Sequence, residues 1–220
     1  MYLSRLVLAR SPDVAALGVL LDPEHPGRRA DAHHRLIWSA FAGDPEARRD
    51  FLWRAMGHGR FLVLSPRPPG DSALFDPGES DTQTFAPDLR PGGRLAVLLR
   101  ANATRTVAEA DGRKRHRDVV MEALHPLPRG ARAEARMDLA QEAGRRWLEG
   151  QGSRAGFTVE SARVSSYTVV ETRRRGPRFG VIDLEGLITV TDPAALLARL
   201  VHGFGRAKAF GCGLMLIRRA

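Results

Sequence analysis

The chain has 220 residues, a formal net charge of +9 at neutral pH and one cysteine, Cys212. One cysteine excludes an internal disulfide and a cysteine-rich zinc site, and no apolar run approaches the roughly 20 residues of a membrane span. The positive charge favours an anionic partner, with nucleic acid ahead of an acidic membrane surface. Arginine supplies nearly all of the positive charge. Either phosphate recognition or a biased genomic composition explains this high arginine content. We expect a cytoplasmic protein.

The N-terminal half predicts a mixed fold. Alternating apolar residues predict strands over 2–9 and 61–64, and helical spacing predicts helices over 31–42 and 44–56. The segment 65–93, rich in Pro, Gly and Asp, predicts loops with one short strand over 82–85.

The C-terminal half gives a clearer pattern. It predicts a strand over 94–101, a basic connector reaching residue 117, a helix over 132–150 and strands over 157–172 and 178–191. Asp192 and Pro193 then open a short helix that buries Leu196, Leu197 and Leu200, before a last strand over 214–220. This order is the ferredoxin-like β-α-β-β-α-β plan. We therefore predict an α+β protein of two tandem ferredoxin-like (RRM-like) domains, residues 1–90 and 91–220.

The stretch "GFGRAKAFGCGL" at 203–214 has the composition of a phosphate-binding loop. A nucleotide-binding loop of this kind follows a strand and opens a helix, whose N-terminus attracts the phosphate. Here the residues that follow alternate as a strand, so Walker and dinucleotide sites are excluded and no cofactor is expected. The close backbone approach that glycine allows favours contact with a nucleic-acid backbone.

Two adjacent histidines in "DAHHRLIWSAF" at 31–41 are the candidates for acid–base chemistry. Imidazole titrates near neutrality, so His34 could activate a ribose 2′-OH or protonate a 5′-oxygen leaving group without a metal. His34 also falls in an i, i+3, i+4, i+7 series with apolar residues, so the edge of a packed helix face is the alternative explanation. The histidines are scattered and match no metal-binding motif, so no metal site is expected.

A predicted hairpin tip, "ETRRRGPRF" at 171–179, carries four arginines. Such a tip can reach the crowded phosphates of A-form RNA, although a solvated turn explains it equally well. No segment matches the aromatic pattern of an RNA-recognition motif, which favours structured RNA over single strands.

Four segments together resemble the CasE-type CRISPR-repeat endoribonucleases of the type I-E Cascade complex, part of a repeat-associated RNA-binding superfamily. They are "MYLSRLVLAR" at 1–10, "HHRLIWSAF" at 33–41, "LRAN" at 99–102 and "GFGRAKAFGCGLM" at 203–215. The resemblance implies two ferredoxin-like domains. It also implies metal-independent cleavage of precursor CRISPR RNA at the base of the repeat hairpin, leaving a 2′,3′-cyclic phosphate and a 5′-hydroxyl, with the product kept bound.

On this resemblance His34 is the catalytic histidine. RNA contacts are implied for residues of "LRAN", of the arginine hairpin and of the glycine loop, namely Arg100, Asn102, Arg173, Arg174, Arg175, Gly203, Gly205, Arg206, Lys208 and Gly211. Family members often carry a tyrosine three residues before the histidine and a cation five after it, where this chain has Asp31 and Ser39. His33 or Arg35 is then expected to stabilise the transition state, and Asp31 either caps the helix or raises the pKa of His34.

The resemblance also implies partners, namely the CRISPR repeat hairpin RNA and other Cascade subunits. We expect no membrane partner and a monomer when the protein is isolated. A second hypothesis from a different class is a non-catalytic subunit that anchors the RNA hairpin in a surveillance complex, with a structural His34.

Overall fold

The computed structural model describes residues 1–42, 49–109, 111–171 and 178–220, and these form two compact units. Of the described residues, unit 1 takes Met1–Pro87, Glu171 and Lys208–Gly211, and unit 2 takes Asp88–Val170, Arg178–Ala207 and Cys212–Ala220. The domain division between residues 90 and 91 stays a prediction. None of the described helices combines the length and apolar character that crossing a membrane requires.

Unit 1 is a four-stranded antiparallel sheet with one long helix. Its elements are β1 Tyr2–Val7, α1 Pro12–Ala16, α2 Gly18–Leu21, α3 Pro26–Ser39, β2 Leu52–Gly57, β3 Arg60–Ser65 and β4 Asp81–Thr84. The strand order is β2-β3-β1-β4. The sheet and α3 enclose an apolar core that includes Ile37, Phe41, Trp53 and Phe61. The predicted strands at 2–9, 61–64 and 82–85 are confirmed, with bounds within about two residues.

Helix α3 begins five residues earlier than predicted. Pro26 occupies its first turn, and the His25 side chain caps it by accepting from the backbone N–H groups of Gly27 and Arg28. Asp31 therefore lies inside the helix and is not its cap, contrary to one of the two roles expected for it.

The predicted helix over 44–56 is wrong where the structure describes it, because Leu52–Gly57 is strand β2. Gly57 and Gly59 have positive φ angles of 84° and 68° and close a tight turn between β2 and β3. Pairing with β3 buries Leu52 and Trp53 in the sheet, which overrides their helical spacing. Residues 44–48 of the predicted helix lie outside the described residues.

Unit 2 repeats the plan with additions. Its elements are β5 Arg94–Ala101, β6 Thr104–Ala108, β7 Lys114–Asp118, α4 Val119–Leu124, α5 Arg136–Ala155, β8 Phe157–Glu171, β9 Arg178–Val190, α6 Pro193–His202 and β10 Met215–Arg219. The main sheet has the order β10-β5-β9-β8. In both units the first of the four strands lies between the third and the fourth, so the tandem ferredoxin-like fold is confirmed.

Several details of unit 2 differ from expectation. Helix α4 was not predicted, and α5 begins four residues later and ends five residues later than the helix predicted over 132–150. The basic connector contains a second sheet, the hairpin β6–β7, whose residues are mostly exposed and so give no apolar alternation. Leu196 and Leu200 of α6 are buried as predicted, whereas Leu197 is 39% exposed. The predicted cap of α6 is confirmed, since the Asp192 side chain accepts from the backbone N–H of Ala195 at 3.0 Å.

Two glycines of α5 form a matched pair that tests its packing. A Cβ at Gly152 would lie 2.5 Å from the carbonyl oxygen of Phe157, whereas a Cβ at Gly150 would meet open space. We expect Gly152→Ala to lower the free energy of unfolding by about 1–3 kcal/mol, because the backbone carbonyl of Phe157 cannot easily move away from the added methyl group. Gly150→Ala is expected to raise it by about 0.5–1 kcal/mol through helix propensity. Urea denaturation of both variants checks this, and equal effects would contradict the packing of α5.

Candidate active site

A pocket of about 400 Å³ in unit 1 contains His34. Its lining is His34, Arg35 and Trp38 of α3 together with Arg49, which precedes β2. The His34 ring lies 6.1 Å from the ring of Trp38 and 6.1 Å from that of Phe51, measured between centroids. Two aromatic rings and two guanidinium groups therefore surround one half-buried imidazole.

One nitrogen of the His34 ring lacks a hydrogen-bond partner. Nδ1 is buried and has no partner among the described residues. A buried polar atom without a partner is rare in folded proteins and calls for an explanation such as a catalytic role. The ring is thus held by packing and not by a hydrogen bond to Nδ1.

Burial lowers the pKa of His34 below its usual value of 6.5, since the charged imidazolium is poorly solvated there. The positive charges of Arg49 and Arg35 lower it further, and Asp31 acts in the opposite direction. The expected effect of Asp31 on His34 is therefore present but outweighed. Because the net shift is downward, His34 is mostly neutral at pH 7.

Arg35 and Asp31 form an ion pair on the exposed side of α3, with Nη2 of Arg35 2.7 Å from Oδ2 of Asp31. The pair joins positions i and i+4 of one helix, so it places the Arg35 guanidinium at the pocket while partly neutralising it. Both residues were predicted from the sequence as supporting groups, and only Arg35 lines the pocket.

Arg49 is the pocket residue that sequence reasoning missed. Its guanidinium donates to the carbonyl oxygen of Phe51 and lies 6.0 Å from the centroid of the Phe51 ring. Burial lowers the pKa of this guanidinium, which still stays charged at neutral pH. The signal in the sequence was the apolar run "FLW" followed by the "GHG" turn, which places Arg49 at the approach to a strand and not within a helix.

His33 and Ser39 lie elsewhere. His33 is buried, its Nε2 is 3.0 Å from Oδ1 of Asp22, and its ring packs edge-on against Phe61. Ser39 donates from Oγ to the carbonyl oxygen of Leu36 at 2.7 Å and contacts Ser72. Neither lines the His34 pocket. Among the described residues no three His, Cys, Asp or Glu side chains cluster as a metal site would require.

The glycine loop is built around close packing within each unit. Gly205 has a φ of 69°, and a Cβ there would lie 2.5 Å from the carbonyl oxygen of Asn102. Gly211 has a φ of 76°, and a Cβ there would lie 3.1 Å from the Trp53 ring. Gly205 and Gly211 thus allow the loop backbone to pack closely against other residues of this chain.

The remaining predicted RNA contacts differ in accessibility. Asn102 is buried and donates from Nδ2 to the carbonyl oxygen of Gly180 at 2.7 Å, so its side chain stabilises unit 2. Arg100 is 3.5 Å from Asp183 and 38% exposed, and Arg206 is exposed. Gly203 ends α6 with a φ of 83°, and Lys208 is partly exposed in a short 3-10 turn. Arg173, Arg174 and Arg175 lie outside the described residues.

Comparison with known proteins places this chain in a family. A model of the family described as "CRISPR associated protein" matches residues 1–219. The CRISPR-associated endoribonuclease Cse3 of Thermus thermophilus is 30% identical, with 99% of each chain covered. The CRISPR system Cascade subunit CasE of Escherichia coli is 26% identical, with 98% of each chain covered.

A solved structure of Thermus thermophilus Cse3 bound to an RNA representing a pre-cleavage complex matches with a TM-score of 0.64 and 26% identity. The match covers 99% of this chain and 98% of that one. Since the family model and the Thermus relative both span nearly the whole sequence, this chain belongs to the family of CRISPR associated proteins of the CasE/Cse3 type.

Proposed function

We propose that this chain is an endoribonuclease that cleaves precursor CRISPR RNA at the base of the repeat hairpin and keeps the hairpin product bound. Family membership supports this class of activity, since the Thermus relative is named an endoribonuclease and was solved with RNA in a pre-cleavage complex. The observation that carries the proposal is a half-buried imidazole, His34, facing a small pocket with Arg35 and Arg49.

The chemistry that suits this pocket is attack of a ribose 2′-oxygen on the adjacent phosphorus. Neutral His34 accepts the proton of the 2′-OH as general base, and the bond from phosphorus to the 5′-oxygen breaks. The 5′-oxygen takes a proton from water, and the His34 imidazolium gives its proton to the resulting hydroxide, which restores the neutral base. The products are a 2′,3′-cyclic phosphate on one fragment and a 5′-hydroxyl on the other. The base role follows from the lowered pKa of His34, because the neutral form predominates at pH 7.

The arginines of the pocket supply the second requirement of this reaction. Negative charge grows on the phosphoryl oxygens as the pentavalent phosphorane forms, and a positioned cation stabilises that charge most when water is excluded. We assign this role chiefly to Arg49, because Arg35 is already paired with Asp31. Arg49 thereby fills the cationic role for which His33 and Ser39 are not placed.

RNA binding outside the pocket is assigned to exposed cations. We propose that Arg206, Lys208 and Arg100 contact RNA phosphates, and that Arg173, Arg174 and Arg175 reach the groove of the stem. Gly203, Gly205 and Gly211 then contribute by shaping the loop that carries Arg206 and Lys208, and Asn102 by holding the backbone beneath it. The E. coli relative is named a Cascade subunit, so we propose that this chain also joins such a complex, in the cytoplasm where its RNA is made.

Cleavage of a labelled CRISPR-repeat hairpin from the same genome, in excess chelator, tests the proposal. We expect His34→Ala to slow single-turnover cleavage by about 10²–10⁴-fold, the usual contribution of a general base, while the Kd for the hairpin stays unchanged. A 2′-deoxy substitution at the scissile nucleotide should abolish cleavage by the unaltered protein. His58→Asn, at an exposed histidine of the same unit, is the matched control and should leave the rate unchanged.

Tight binding without cleavage by the unaltered protein would favour the alternative, a non-catalytic subunit that anchors the hairpin. Cleavage that persists in His34→Ala would show that His34 is not catalytic and serves only in the packing of α3.

The pH dependence of cleavage separates the base role from an acid role. A base must be neutral, so the single-turnover rate constant should rise with pH through a midpoint below 6.5 and then level off. Arg49 lowers the pKa of His34, so Arg49→Ala should move this midpoint to higher pH and also reduce the plateau rate. Arg28→Ala, at an exposed arginine of the same helix, is the matched control.

A rate that falls as pH rises through the same midpoint would contradict the base role and assign His34 as the proton donor. A midpoint that does not move in Arg49→Ala would show that the Arg49 charge does not act on His34.

A further inference from the structure

A second, larger cavity lies wholly within unit 2. It has a volume of about 900 Å³ and is formed by the hairpin β6–β7, the helices α4, α5 and α6, and the loop after α6. Its charged lining consists of Arg105, Glu122, Arg146, Arg154, Arg199 and Arg206. Five cations and one carboxylate make this a strongly positive concave surface.

The charges divide the cavity into a neutralised end and an open end. Arg105 is paired with Glu122, and Nε of Arg146 lies 3.0 Å from a carboxylate oxygen of Glu142. Within the described part of the chain, no carboxylate forms an ion pair with Arg154, Arg199 or Arg206. The positive charge at that end is therefore not compensated by any carboxylate of the described residues.

At the open end, contacts within the protein hold the side chain of Arg199 in place. Arg199 donates from Nη2 to Oε1 of Gln151 at 2.7 Å, and Gln151 is buried, with only 6% of its surface exposed. The guanidinium carbon of Arg199 lies 5.1 Å from the centroid of the Phe204 ring. Arg154 is near enough to lower the pKa of Arg199 by repulsion, in addition to the effect of burial. Holding two like charges together is unfavourable unless an anion binds between them.

The chemistry and size of the cavity indicate which anion. Guanidinium groups match phosphate oxygens through paired N–H donors, and a half-buried one binds them with little competition from water. A cavity of about this volume buries a small ligand or a short stretch of one chain. An A-form duplex carries its phosphates on a broad convex surface, so it does not enter such a cavity.

We propose that this cavity binds the phosphodiester backbone of a single-stranded RNA segment that flanks the hairpin, with Arg154, Arg199 and Arg206 holding the phosphates. The inference rests on the proposed function, because RNA as the ligand comes from there. It adds a binding site in unit 2 with a lining different from that of the His34 pocket. This site binds the unpaired strand and not the stem.

The test compares two non-cleavable RNAs that carry a 2′-deoxy scissile nucleotide. One is the repeat hairpin alone, and the other carries a single-stranded flank, with 5′ and 3′ flanks tried separately. We expect Arg154→Ala to weaken binding of one flanked RNA about tenfold, the usual effect of a charged hydrogen bond, and to reduce its salt slope by about 1. Binding of the hairpin alone should not change. Arg199→Lys, which keeps the charge but loses the paired donors, should act in the same direction.

Arg145→Ala is the matched control, since Arg145 lies on the same helix, is paired with Glu149 at 2.9 Å and does not line the cavity. Equal weakening of both RNAs by Arg154→Ala would overturn the proposal in favour of a stem-binding site, and no weakening of any RNA would overturn it outright. The failure of the proposed function is distinguishable, because binding is measured without cleavage. If the unaltered protein cleaves no RNA but Arg154→Ala weakens binding of a flanked RNA, the proposed function fails and the flank-binding site is supported.

Discussion

The desolvation of one imidazole is the constraint on which the candidate active site depends. The His34 ring packs against the rings of Trp38 and Phe51, and its burial both removes water from Nδ1 and lowers the pKa of the ring. The packing exists only because β2 pairs with β3 and brings Phe51 and Arg49 against α3. A strand interaction thus contributes to lowering the pKa of a helical side chain, so the pKa of His34 depends on the packing of the whole unit.

The charge of the protein is used differently in its two units. In unit 1 two arginines border a small pocket with aromatic walls, where a single developing negative charge can be met at short range. In unit 2 several arginines line a wider cavity that suits an extended anion. Both arrangements fit a protein that holds RNA firmly and reacts at one phosphate. For these arginines phosphate recognition stays a prediction, beside the alternative of a biased genomic composition.

The sequence predicted the elements whose apolar residues repeat at a clear period, and failed where they do not. Strands β1, β5, β8 and β9 and helix α6 were found from periodicity, but the hairpin β6–β7 is exposed on both faces and shows none. Strand β2 was mistaken for a helix, and Arg49 was lost with it. His33 and His34 were identified as candidates, yet successive helical residues point about 100° apart, and only packing shows that His33 faces the core.

Two glycines of the loop at 203–214 pack against other residues of this chain. Gly205 packs on the backbone of Asn102, and Gly211 packs on the Trp53 ring, so a larger residue at either site disturbs the protein before any RNA arrives. A glycine pattern of this kind can therefore be required for folding, independently of any contact with RNA. Substitution of those glycines would change RNA affinity and folding together. Substitution of Arg206 or Lys208, the cations between them, tests RNA affinity more directly.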